Sequence, residues 1–260
     1  MRPRVLGLVP LLVFLATGRA HPQPPPIVDR DYAIDLQWGA ALGSSRTIAM
    51  GGTGVAIGEG AVGALSNPAA AGVRPLSAPD HWDWSGTISI FRPDVGSDFA
   101  NNGLAESRGM SVQGGTLALV VFYQTWALSF GMGFIGYRLP GPNDTTLNLT
   151  AARPRLTLAR SVLADTLSVG IGLRGGIFTL ERDRAGLASG EDATIFDVSS
   201  SALEAGFVHK VGDGWRWGGQ IALPAPGGRY QTSCDPASCM GIPLPNTVVV
   251  PWEVAAGVAY

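Results

Sequence analysis

Cysteine, histidine and charge are all scarce in this 260-residue chain, and each shortage removes a class of function. Two cysteines and three scattered histidines (His21, His81 and His209) do not make the four-ligand set of a structural metal site, so no metal is expected. The sequence has no Gly-x-Ser-x-Gly elbow, no His-Glu-x-x-His and no Ser/His/Asp set that three separated histidines could complete, so it reads as a non-enzyme without a cofactor. His209, near a predicted strand end, is the one candidate base and reads as a solvated rim residue. Charged residues are 15% of the chain, against about 25% in ordinary soluble domains. Net charge is only -2, and no basic surplus points to nucleic acid. Beyond the first residues there is no apolar run approaching the roughly 20 residues of a membrane-spanning helix.

What is present is apolar surface without an obvious place to go. Hydrophobic residues make up 46% of the chain, and mean hydropathy is positive. At the amino terminus, Arg2 and Arg4 precede the apolar run Val5 to Ala16 and the small-residue stretch Gly18-Arg19-Ala20. Those are the three regions of a secretory signal peptide, so residues 1–20 are read as an export signal. Cys234 and Cys239 lie five positions apart in a Pro/Ser/Gly-rich segment. In an oxidising compartment they read as a loop-closing disulfide, with free thiols as the alternative.

The remaining chain alternates. Trp126, Leu128, Phe130, Met132 and Phe134 share one face of a period-two segment whose other face is Ala, Ser and Gly. The pattern returns in Leu167, Val169, Ile171 and Leu173, and again in Trp215, Trp217, Ile221 and Leu223. Strand side chains alternate between faces, so each segment reads as a strand with one greasy and one small or polar side. The predicted strands are 82–92, 108–123, 126–138, 146–162, 166–179, 196–210, 214–224 and 247–260. Most exceed the five or six residues of globular strands and suffice for a tilted membrane crossing. Tight connections at Gln124-Thr125, Ala164-Asp165 and Gly212-Asp213-Gly214 alternate with long ones at 93–107, 139–145, 180–195 and 225–246. A soluble β-sandwich also alternates, but short turns at one end and long loops at the other are the layout of a bacterial outer-membrane barrel. Trp82, Trp84, Trp126, Trp215, Trp217 and Trp252, with Tyr123 and Tyr260, fall near strand ends, where amphipathic rings favour the membrane interface. The segment Trp252 to Tyr260 alternates and ends on an aromatic residue, similar to the carboxy-terminal assembly signal of outer-membrane proteins. The fold class expected is therefore all-β: an antiparallel transmembrane β-barrel over 81–260, with about eight strands visible.

Between signal and barrel, residues 21–80 carry the word Arg46-x-x-x-Met50-Gly51-Gly52-x-Gly54-x-Ala56 and the triplet Asn67-Pro68-Ala69. The glycines lack the spacing of a dinucleotide loop and no P-loop Lys-Ser/Thr follows, which excludes a phosphate cradle. Over about residues 40–75 the chain resembles the FadL-like superfamily of outer-membrane hydrophobic-compound transporters, with its relatives of the PorV/PorQ type. The resemblance implies that Arg46, Met50, Gly51, Gly52, Gly54, Asn67, Pro68 and Ala69 belong to a hatch folded into the barrel. It also implies passive transport of small hydrophobic molecules such as fatty acids, or a PorV-like scaffold role in protein secretion or surface attachment. Family barrels have about fourteen strands, so the expectation is either a hatch placed elsewhere or the amino-terminal part of a larger barrel, the latter preferred. Arg174, Glu204, Arg216 and Gln220 fall on the small-residue face and are predicted to line the lumen and to pair. The partners expected are membrane lipids, a hydrophobic small molecule and the outer-membrane assembly machinery. The location expected is the bacterial outer membrane, with loop 225–246 outside.

Overall fold

The computed structural model describes residues 31–33, 54–74, 81–92, 111–140, 146–163, 165–182, 194–212, 214–226, 228–232, 244, 247–249 and 251–260. Where the sequence alternates, the chain is extended. The elements are β1 (Asp31–Ala33), α1 (Gly60–Ala64), a 3-10 turn (Pro68–Gly72), β2 (Trp82–Phe91), β3 (Ser111–Tyr123), β4 (Trp126–Pro140), β5 (Thr146–Val162) and β6 (Leu167–Arg182). They continue with β7 (Thr194–Val211), β8 (Trp215–Pro224), β9 (Arg229–Thr232), β10 (Thr247–Val249) and β11 (Glu253–Ala259).

Eight strands of a nine-stranded antiparallel sheet follow in the order β2-β3-β4-β5-β6-β7-β8-β11, and from β2 to β8 each lies beside its neighbour in sequence. The tight connections after β3, β5 and β7 all fall at one end, here the turn end. The longer connections fall at the other, the loop end. Gln124 takes a left-handed φ of 51° in the β3–β4 turn, a conformation that costs an L-residue roughly 1–2 kcal/mol. Its N–H donates to the His81 carbonyl at 2.9 Å, which ties that turn to the start of β2.

The two faces of the sheet are distinct from one ladder to the next. Trp84, Val121, Leu128, Leu158, Ile171, Ala205, Ile221 and Val254 are successive cross-strand partners, and all are exposed. One residue along, Ser85, Val120, Ser129, Thr157, Gly172, Glu204, Ala222 and Glu253 form the corresponding ladder on the covered face. Along β6 the apolar outward positions run from Leu167 to Ile177 before Thr179 and Glu181. That is about 33 Å of strand.

The final predicted strand, 247–260, is corrected. Pro251 has no N–H to give a ladder, and the segment divides there. β10 instead pairs in parallel with β1, a strand that no alternation in the sequence announces, in a separate two-stranded sheet. Short β9, inside the predicted long loop 225–246, extends the ladder of β7 at Phe196 to Ser199. The predicted barrel is, over the described residues, an open sheet whose outer edges are β2 and β11. Proline also interrupts the wall: pairing of β5 with β6 lapses between Ala152 and Arg155. Pro154 stands in that gap against Gly175, where a Cβ would lie 2.9 Å from the proline ring.

Candidate functional site: a plug on the covered face

Residues 54–74 pack across the small-residue face of the sheet. Asn67 is fully buried and organises the packing. Its backbone is extended (φ -144°, ψ 125°), as a residue preceding proline prefers. Its Oδ1 accepts from the Ala69 N–H at 3.0 Å, capping the 3-10 turn. Its Nδ2 donates to the Val55 carbonyl at 2.8 Å within the plug and to the Phe207 carbonyl at 3.1 Å on the wall. One amide therefore joins two turns of the plug to β7.

Glycine on the wall makes this approach possible. A Cβ at Gly206 would overlap the Asn67 carboxamide oxygen, and one at Gly218 would overlap the Val55 carbonyl. At Gly170 it would lie 2.6 Å from the Pro68 backbone. Ser168 Oγ donates to the Ala69 carbonyl at 2.6 Å. At the plug's far end, the Arg74 guanidinium stacks 5.4 Å from the Phe122 ring centroid and donates to the Gln124 carbonyl, fastening the plug to the first tight turn. Glycines on the exposed face serve differently. Gly219 and Gly115 lie opposite Phe207 and Phe134, whose rings fold over them.

Toward the loop end lies a charged cluster. Arg155 bonds Glu204 at 2.8 Å and donates to the Ala64 carbonyl at the end of α1 at 2.9 Å. Arg174 bonds Glu204 at 3.1 Å and Glu253 at 2.8 Å, and Arg153 bonds Glu253 at 3.0 Å. Arg155, Arg174 and Glu204 are each buried. Three guanidinium groups thus face two carboxylates, and the Arg155–Ala64 bond links the cluster to the plug. Glu204 Oε2 and Gln220 Oε1 are buried acceptors that no donor among the described residues reaches. Beyond the cluster the covered face turns apolar again. Leu147, Leu180, Phe196 and Val198 pack with Leu244, and the Phe178 and Phe196 rings stack at 5.6 Å.

Of the residues singled out from sequence, Gly54, Asn67, Pro68 and Ala69 lie in the plug, and Arg174 and Glu204 bond to each other. Arg216 pairs instead with Glu59 of the plug. His209 lies opposite Leu167 and Trp217 near the turn end. Arg46, Met50, Gly51, Gly52, Cys234 and Cys239 lie outside the described residues. Arg153, Arg155 and Glu253 belong to the cluster without having been singled out from sequence. Counting the alternation of Leu156 and Leu158 back through β5, and that of Val254 and Val258 along β11, finds all three. Trp82, Trp84, Tyr123, Trp126, Trp215, Trp217 and Tyr260 gather toward the turn end, and Arg160 stacks 5.0 Å from the Trp126 ring centroid. Trp252 stands at the loop end of β11. Among the described residues no three His, Cys, Asp or Glu side chains converge on a metal-sized site.

Comparison with protein-family models, characterised proteins and solved structures found no match to this chain.

Proposed function

We propose that this chain is an exported outer-membrane β-barrel protein that passively conducts small hydrophobic molecules, such as fatty acids, with residues 54–74 as its gating hatch. The observation that carries the reading is the reversal of the two faces. Large apolar side chains are outward and exposed in unbroken ladders, whereas the ion pairs and a fully buried asparagine are inside. Water penalises the first and lipid rewards it, since a bilayer offers no partner to polar groups but accepts Leu, Ile and Phe. Tryptophans and tyrosines at the turn end, with Arg160 among them, suit the headgroup level. The resemblance of residues 40–75 to the FadL-like superfamily supplies the substrate class. The apolar patch around Phe178 and Phe196, beside surplus guanidinium charge, suits an amphiphile with an acidic head.

The test is heat-modifiability of the full chain folded in detergent, with identification of lipids that co-purify. Compact migration that collapses on boiling, together with a bound apolar molecule, is expected. A compact form that binds no lipid contradicts transport. One observation favours the alternative of a PorV-like scaffold or structural barrel: the plug is fastened by Asn67, Ser168, Arg155 and Arg74, which suits a wall that never opens. On that reading the long loops hold a secreted protein, and no ligand is bound.

A further inference from the structure

Short β10 is bracketed at the loop end. Three residues before it, Leu244 packs with Leu147, Leu180, Phe196 and Val198 in the apolar cluster that lies beyond the ion pairs. Four residues after it, Glu253 bonds Arg153 and Arg174. Four residues of chain span at most roughly 14 Å. The strand from Glu253 to Ala259 covers about 20 Å, so β10 cannot double back to the turn end. β1 pairs with β10 in parallel, Asp31 with Thr247, Tyr32 with Val248 and Ala33 with Val249. β1 therefore lies at the loop end as well, and the parallel direction fixes its polarity. Its amino-terminal end faces the side from which loop 225–246 arrives, and its carboxy-terminal end points toward the wall, as that of β10 does.

The far end of the plug is on the opposite side. Arg74 donates to the Gln124 carbonyl in the β3–β4 turn, and β2 starts there, with Trp82 opposite Tyr123. Between β1 and β2 the chain passes from the loop end to the turn end. The plug on that path lies inside a curve. Arg153 of β5 bonds Glu253 of β11 at 3.0 Å across the intervening β6, β7 and β8. On a flat sheet those strands stand roughly 19 Å apart, beyond the combined reach of the two side chains, so the sheet curls toward the covered face.

We propose that the chain is threaded: the segment before β1 is displayed outside the cell beside the long loops, and the plug is a strap that crosses the membrane within the wall, tied at both ends. Residues 21–30 suit such a display, because four prolines and no alternation leave them nothing to give a ladder in the wall. The topology also limits the gate. A plug with one free end can swing out on the periplasmic side. A strap held by β10 at the loop end, and by the Arg74 bond and β2 at the turn end, cannot leave the wall, so passage requires residues 54–74 to shift inside it.

The inference rests on the membrane reading with the long loops outside, and the experiment separates the two. A short epitope is inserted into the full chain immediately before Asp31, within the connection 183–193, or at Asp213 in the β7–β8 turn, and each chain is expressed in a Gram-negative host and checked for heat-sensitive migration. Antibody is expected to reach the first two epitopes on intact cells, and the third only after permeabilisation, with a several-fold gain in signal. If the epitope before Asp31 stays hidden until permeabilisation while that in 183–193 is open, the threaded route is overturned. Access to Asp213 alone would put the loop end inside and overturn display outside the cell. Access to all three, with no heat-sensitive species, would remove the membrane reading and the strap with it. A cross-link without any insertion gives a second reading. With Cys234→Ser and Cys239→Ser, the pair Tyr32→Cys and Val248→Cys is expected to form a monomeric intrachain disulfide several-fold above the pair Tyr32→Cys and Ala259→Cys, whose second member is at the turn end. Equal cross-linking of the two pairs, or of neither, would remove β1 from the loop end and overturn the proposal.

Discussion

Two ladders one residue apart show how this sheet is built. The exposed ladder runs Trp84, Val121, Leu128, Leu158, Ile171, Ala205, Ile221, Val254; the covered one runs Ser85, Val120, Ser129, Thr157, Gly172, Glu204, Ala222, Glu253. They share strands and height, and differ in which side the pleat presents. Large side chains are placed where nothing among the described residues covers them, and small or charged ones where the plug does. A water-soluble sheet with one packed face reverses that assignment. The contrast teaches that burial in this protein is one-sided: the covered face is satisfied by residues 54–74, while the exposed face is the one that the proposed membrane reading assigns to lipid.

The largest disturbance of the covered face is expected from Glu204→Leu, which leaves Arg155 and Arg174 without their shared carboxylate. Removing one partner of a buried pair costs about 3–5 kcal/mol, read as a lower urea midpoint in detergent or vesicles. The exposed face is challenged by Ile171→Arg, 62% exposed and central in its ladder. In a bilayer that substitution is expected to destabilise by about 2–4 kcal/mol. An effect near zero in lipid would break the comparison, because an exposed position facing water tolerates arginine. Asn67→Ala is expected to orphan the Val55 carbonyl and the Ala69 N–H, costing about 1–3 kcal/mol for a buried group left unpaired. It is further expected to expose the plug to protease before the wall melts. The smallest effect is expected from Arg160→Ala, about 0.5–1 kcal/mol for an exposed cation over an aromatic ring. A larger loss would give Arg160 a partner beyond Trp126.

The strands were legible because each carries its own alternation, and a period of two needs no knowledge of neighbours. β5 matches its predicted range at both ends, and β2, β3 and β8 differ by at most three residues at one end. The failures have local causes. The segment 247–260 has the composition of a single strand, but Pro251 divides it, and the partner of β10 is β1, more than two hundred residues away. Short β1 and β9 offer three and four residues, too few for a period to register. At the site, Asn67 drew notice through its Pro-Ala neighbours, yet its bond to the Phe207 carbonyl spans 140 positions that no local pattern reports. Arg174 and Glu204 fall on the small-residue face by counting. That Arg153 and Glu253 join them depends on the curl of the sheet, which alternation does not encode.

The most direct test of the account is spin-label accessibility along β6 in the full chain reconstituted into lipid vesicles, with one label at a time from Leu167 to Ile177. The account predicts a period of two, with Val169, Ile171, Leu173 and Ile177 open to oxygen and shielded from a water-soluble nickel chelate, and Ser168, Gly170 and Gly172 shielded from both. Labels at Val169, Ile171 and Leu173 that are quenched by the chelate would place that face in water and contradict the account.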